Sequence, residues 1–283
     1  MNPIKKPKIG IIGGHGRLGS WFARFFLSQG FSVVISDLHT QLKNSELVDQ
    51  SDVVIFSVPI GVTTQIMEEL ILYSRPDQLW MDFTSIKSPA VETMLKSKAE
   101  VLGTHPMFGP SVSSIVGQTI VVCPERVSKW SNWFENILKQ QGAKIKVSTP
   151  KDHDRFMAVI QALTHLTSIT LNLTLKKLGV DIAQSLSYTS PIYRLHLDVG
   201  GRILAQDPRL YGEIQILNPE VPKVVQEYLN VTEELVKLIK DKDLLGFEKI
   251  FKEASDYLGP FKDEALKESD RLIETMVKFK NEG

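Results

Sequence analysis

Cysteine is nearly absent: Cys123 is the single cysteine in 283 residues, so the chain can form no disulfide with itself. It lies in the apolar run "TIVVC" and reads as a buried thiol. Cys/His clusters with zinc spacing are missing too, and no metal site is expected. There is no surplus of either charge. The 33 Lys and Arg cancel the 33 Asp and Glu, which argues against nucleic acid or an anionic membrane surface as the main partner. A small anion stays possible, because two or three placed arginines suffice to hold one. The start, "MNPIKKPKIGIIGG", shows no signal-like apolar core or cleavage site, so the expected compartment is the cytoplasm. The uncharged run 156–175 has membrane length. It contains Gln161, His165, Ser168, Asn172 and four threonines, which point instead to a buried helix of a second domain and to no membrane partner.

What is present is an ordinary globular composition, 42% hydrophobic and 23% charged, at a length that suits one large or two modest domains. The first half alternates short β-branched runs with amphipathic stretches. "KIGII", "FSVVIS", "DVVIFSV", "LWMDF", "AEVLGT", "QTIVVC" and "AKIKVS" read as strands. "LGSWFARFFLSQG", "VTTQIMEELILYS", a segment opened by Ser88-Pro89 and "SKWSNWFENILKQQG" read as helices. That alternation predicts an α/β domain with a doubly wound parallel sheet over 1–149. From 150 to 283 only helical patterns follow, beginning with Thr149 as a helix cap and Pro150 in the first turn.

The first strand runs straight into Gly14-His15-Gly16-Arg17-Leu18-Gly19, where a helix opens. Glycines at this spacing allow a tight turn, close approach of a pyrophosphate and helix–strand packing, with the helix N-terminus facing the phosphates. Asp37 ends the second strand about 20 residues on, where a carboxylate accepts hydrogen bonds from ribose hydroxyls. The same carboxylate repels a 2′-phosphate, and Ser36, Leu38 and His39 supply no arginine to hold one. NAD is favoured over NADP.

"LGTHPMFGP" holds His105 directly before a proline, in extended or turning backbone. Together with "GGHGRLG", "VIFSVPI", "DFTSIKS", "DHDRFMAVIQALTH" and "SPIYRLHLDVGGRILAQDPRLY", in this order, it makes the chain resemble the prephenate dehydrogenases of tyrosine biosynthesis from about residue 8 to 260. The resemblance implies a Rossmann domain, a helical domain that builds a homodimer, and oxidative decarboxylation of the small dicarboxylate prephenate. It assigns His105 as the proton acceptor and Ser85 as a neighbour of nicotinamide and hydroxyl. Arg202 becomes the carboxylate grip, with Arg194, Gln206 and His165 as further substrate residues, and Val58 and Pro59 join the cofactor loop. Arg194 lies about 80° around the helix from Arg202, so it is open to an interface role instead. No mutase-like segment is read before Lys8 and no regulatory βαββαβ module after the helices, so neither activity is expected. Arogenate stays open as a substrate. A β-hydroxyacid-type reductase is disfavoured by arginine where a lysine is expected in "LDVGGRILAQ", and a non-enzymatic NAD sensor would not need His105, Ser85 and Arg202 together.

The stripe Asp154, Ala158, Gln161, His165, Ser168, Asn172 shares one helix face and carries no lysine or glutamate. It is expected to face a cleft or a second copy of the chain.

Overall fold

The computed structural model describes residues 6–281. The chain forms two compact units: one runs to Gln161 and takes in Arg209–Glu220, and the other comprises Ala162–Pro208 and the residues from Val221 on. Two segments beyond residue 149 therefore belong with the sheet. They are helix α6 (Pro150–Met157) and most of α10 (Pro208–Leu217).

Seven strands make up the sheet of the first unit: β1 (Lys8–Ile12), β2 (Ser32–Ser36), β3 (Val53–Phe56), β4 (Leu79–Asp82), β5 (Glu100–Pro106), β6 (Thr119–Arg126) and β7 (Lys144–Val147). Their order is β2-β1-β3-β4-β5-β6-β7. The chain leaves β1 to one side for β2 and returns on the other for β3. The carboxyl ends of β1 and β3 thus form the crevice where open α/β sheets take ligands.

Side chains alternate across the sheet, and both faces are covered. In β3, Val53 and Ile55 join the core under α1 (Arg17–Ser28) and α5 (Trp133–Gln140), with Phe22, Phe26 and Phe134. Val54 and Phe56 point the other way, into the core under α2 (Asn44–Gln50), α3 (Ile60–Leu70) and α4 (Ser88–Met94). Continuous apolar strands are what two-sided burial demands, and each buried Phe or Val contributes about 2 kcal/mol.

The sheet is parallel as expected except at one pair, because β5 and β6 run antiparallel. Residues 107–118 between them form an irregular loop rather than a crossover helix, and without a crossover a strand can return only antiparallel. The helix expected from residue 128 starts at Trp133, after Asn132 takes a left-handed conformation at φ 59°. Thr149 does cap α6, its hydroxyl accepting from the Asp152 N–H at 3.1 Å.

In the second unit, α7 (Thr164–Lys177) packs on α9 (Pro191–Leu204), where Gly200 lies so close to Asn172 that an added Cβ would collide with its amide. The run Pro150–Lys177 is not one α-helix, since Ala158–Leu163 is a π-helical segment. Nor is α7 centrally buried as expected: none of its residues is buried within the chain. By length and composition Pro150–Lys177 could cross a membrane, a measure that core helices of soluble proteins also meet. Its opening turns are tied into the first unit through buried His153, Asp154, Met157 and Ala158. The helical unit leaves Leu173, Ile192, Val199, Leu229 and Phe251 exposed.

The loop after β1 depends on Gly13, one residue ahead of the fingerprint read from the sequence. Its φ is +78°, and a Cβ there would collide with the Ser57 carbonyl. Gly13→Ala is expected to lower stability by about 2 kcal/mol or more, from left-handed backbone and the clash together. The reading is a lower urea midpoint at unchanged slope; an unshifted midpoint would contradict the assignment.

Candidate active site

The glycine loop follows from β1 running straight into α1. The Gly13 N–H donates to Ser36 O at 2.8 Å, which holds the turn between β1 and β2. Gly19 touches the backbone of Gly13 and Gly14 so closely that any Cβ would collide with it. Helix α1 opens at Gly16 with no side-chain cap and no acidic residue in its first turn. Asp37 follows β2, its Oδ2 accepting from the His15 N–H at 2.9 Å and its Oδ1 from the Leu38 N–H at 2.8 Å. Val58 lies beside Gly13, and Pro59 is the N-cap of α3. Gly14, His15, Gly16, Arg17, Leu18, Gly19, Asp37, Val58 and Pro59 are thus gathered at the carboxyl ends of β1, β2 and β3.

At the carboxyl end of β5, His105 is buried and faces the α4 and α6 side of the sheet. Its Nδ1 lies 2.9 Å from Nε2 of His153 on α6. His153 Nδ1 lies 2.9 Å from Asp154 Oδ1. Asp154 also accepts from the backbone N–H groups of Lys87 at 2.6 Å and Ser88 at 2.8 Å. The N-cap residue of α4, Lys87, makes no side-chain cap bond, and a carboxylate from α6 caps the N-terminus instead. Beneath the histidines, the fully buried Lys87 ammonium pairs with Asp82 and donates to Thr104 O at 2.7 Å. On the other side of His105, Gln161 Nε2 lies 3.4 Å from its Nε2.

Burial is the largest influence on these groups. It holds His105 well below the usual imidazole range, assisted electrostatically by the His153 ring and the Lys87 ammonium. His153 is lowered for the same first reason. Burial alone would raise Asp154, but hydrogen bonds from His153, Lys87 and Ser88 carry it below the usual carboxylate value. Cys123 is pushed up to about 12 by burial and is inert as a nucleophile.

Sequence reasoning missed His153 and Lys87. The signal for His153 was the "HD" pair in the first turns of a helix. Ser85 sits half-buried in the turn after β4. Arg194, Arg202, Gln206 and His165 belong to the helical unit. On α9, the Arg194 Nε is held by both oxygens of Asp198 at 2.9 and 3.0 Å. Arg202 is exposed near the end of α9, and Gln206 donates to its carbonyl at 3.1 Å. His165 lies half-buried on α7 and is lowered by burial.

The fold and the glycine loop define a dinucleotide-binding type of α/β domain joined to a helical unit. Comparison with known proteins narrows this class. The family model described as "Prephenate dehydrogenase, nucleotide-binding domain" matches residues 32–147, and "Prephenate dehydrogenase, dimerization domain" matches 149–253. The chain belongs to the prephenate dehydrogenase family. It is 39% identical to a "Probable arogenate/prephenate dehydrogenase" of Methanocaldococcus jannaschii, across 94% of this chain and 64% of that protein. It is 35% identical to the "T-protein" of Haemophilus influenzae, across 94% of this chain and 71% of the other. The chain therefore spans about two thirds of the length of these relatives. Among solved structures, prephenate dehydrogenase from A. aeolicus, in complex with hydroxyphenyl propionate and NAD⁺, matches at a TM-score of 0.71. The match covers 94% of this chain and 99% of that one, and at 18% identity it is a likeness of fold.

Histidines buried neutral make stability depend on pH in a defined direction. The folded values of His105 and His153 lie below 6.5, so below pH 6.5 the unfolded chain binds protons that the folded one does not. Stability is whole above 6.5 and falls as pH drops from there toward the folded values. Each ring accounts for up to about 1.4 kcal/mol per pH unit. Lowering the pH from 7.5 to 5.5 should reduce the urea midpoint; an unchanged midpoint in that window would contradict the lowered values of the pair.

Proposed function

We propose that the protein oxidises prephenate with NAD⁺, releasing CO₂ and forming 4-hydroxyphenylpyruvate. The observation that carries this is His105, a buried imidazole held in its neutral form at a strand's carboxyl end in a nucleotide-binding domain. The loop residues fit the cofactor: a glycine cradle that a Cβ would fill, an uncapped helix N-terminus for the pyrophosphate, and the Asp37 carboxylate for ribose hydroxyls. Asp37 also favours NAD over NADP, and Leu38, beside it, carries no charge to offset a 2′-phosphate. Bound NAD⁺ supplies the hydride acceptor.

His105 Nε2 takes the proton of the ring hydroxyl as that carbon is oxidised to the carbonyl level. When the C1 carboxylate leaves as CO₂, its bonding electrons aromatise the ring and return to the same oxygen, which recovers the proton from His105. Ser85 is assigned to orient the hydroxyl from the turn after β4. Arg202 is assigned to the carboxylate grip, since a planar guanidinium suits bidentate binding, and Arg194 is held by Asp198 on the same helix. Gln206 and His165 are assigned to the substrate with it. The exposed apolar side chains of the helical unit and the family's dimerization domain support a homodimer through that unit.

Prephenate is preferred to arogenate because an ammonium group taken from water needs an anion beside it. Asp154 already accepts from three N–H groups and Asp82 from Lys87, Thr84 and Thr104. Asp198 is paired with Arg194. The loop 111–119 carries no carboxylate, and Trp21 Nε1 donates to Val112 O at 2.9 Å, which folds the loop onto α1, across the sheet from His105. Arogenate is the second reading, favoured by the name of the Methanocaldococcus relative.

Formation of NADH at 340 nm, with prephenate and arogenate compared at equal NAD⁺, tests the reading. A tenfold higher kcat/KM for arogenate would reverse the preference, and turnover of neither would end it. His105→Asn should keep NADH binding and lose about 10²- to 10⁴-fold in kcat. The wild-type acid limb should lie below pH 6.5, since the neutral base persists until pH falls through the lowered value. An Asn variant with near-normal kcat would remove His105 from the chemistry.

A further inference from the structure

The contacts around His105 admit one consistent placement of protons. Asp154 Oδ1 and Oδ2 accept from two backbone N–H groups at the start of α4, and Oδ1 also lies 2.9 Å from His153 Nδ1. A carboxylate held by several N–H donors is ionised and can only accept. The proton of neutral His153 therefore resides on Nδ1, and its Nε2 offers a lone pair. That lone pair faces His105 Nδ1 at 2.9 Å, so His105 carries its own proton on Nδ1. Its Nε2 is then bare, which agrees with an amide nitrogen of Gln161, a donor, lying 3.4 Å away.

We infer that His153, oriented by Asp154, is a positioning residue that fixes His105 in the Nδ1–H tautomer and so presents Nε2 as the proton acceptor. This deepens the proposed reaction and rests on it for the role of Nε2, although the tautomer itself does not. Two features keep the assignment in one state. His153 is itself buried and held neutral, with the Lys87 ammonium disfavouring a second cation. The carboxylate end is rigid, because Asp154 caps α4 while the carbonyl of the same residue accepts from buried Asn218 at 2.9 Å. Were the proton of His153 on Nε2, His105 would be forced to carry its own on the nitrogen that faces Gln161. Nε2 would then be a donor with no capacity to take a hydroxyl proton.

The test begins with the unaltered protein. In ¹⁵N-labelled full-length chain at pH 7.5, long-range ¹H–¹⁵N correlation should show His105 with a protonated Nδ1 and an unprotonated Nε2, and His153 likewise. A proton on His105 Nε2 overturns the inference, whatever the substrate proves to be. Kinetics then ask whether the arrangement matters. His153→Leu removes the acceptor and should lower kcat by about 10- to 100-fold, within the worth of a positioned base, with KM and NADH affinity changed less than twofold. His153→Gln, whose amide oxygen can accept the same N–H, should lose less. Equal losses in both variants, or a loss confined to KM, would reduce His153 to a packing role. If the wild type turns over neither prephenate nor arogenate, the proposed reaction fails while the tautomer measurement still decides this inference.

Discussion

The carboxylate of Asp154 joins parts of the chain that are far apart in sequence, and the candidate site is organised around it. It accepts the N–H groups of Lys87 and Ser88, so it fixes where α4 begins. It accepts from its neighbour His153, so it fixes a ring that touches His105 on β5. A carboxylate at a helix N-terminus is favoured by the unsatisfied amides and the helix dipole alike. Here that ordinary capping interaction crosses from α6 to α4, and it anchors the first turns of a helix that continues into the other unit. Stability and site geometry therefore rest on the same atoms.

The parts of this arrangement legible in the sequence were those set by local spacing. "GGHGRLG" after a β-branched run defines a turn whatever follows, because Gly19 must touch the backbone of the loop that precedes it. His105 before Pro106 could be placed in extended backbone for the same local reason. Even there the strained position was displaced by one: the left-handed residue is Gly13, which the three-glycine spacing does not mark. Alternation in β3 reported two covered faces, yet it could not report direction. The antiparallel return of β6 depends on residues 107–118 packing as a loop over Trp21 and Phe22, a contact between distant segments.

The relay was illegible for a related reason. His153 and His105 are 48 residues apart, and Asp154 and Lys87 are 67 apart. Helical periodicity placed Asp154 in a stripe with Gln161 and His165, which holds for a uniform α-helix. The π-helical segment Ala158–Leu163 alters that periodicity between them. Extra residues per turn rotate whatever follows relative to what precedes. Asp154 is held in the sheet unit by Lys87, Ser88 and His153, whereas His165 belongs to the other unit. A stripe drawn at fixed spacing across the segment joins residues that serve different neighbourhoods.

The charge balance of the buried cluster explains why a histidine pair can sit there neutral. Asp82 and Lys87 cancel in a fully buried pair, and the remaining charge, on Asp154, is spread over three N–H donors. With that anion already satisfied by fixed dipoles, a proton added to His105 gains little from it and still meets the cost of burial and the field of Lys87. Burial wins, and the ring stays a base. Removing Lys87 would not simply relax that field, because Asp82 would be left as an uncompensated buried charge at the end of β4. The ammonium thus has two effects at once: it makes the strand end electrically tolerable, and it keeps the adjacent imidazoles in the form that can accept a proton.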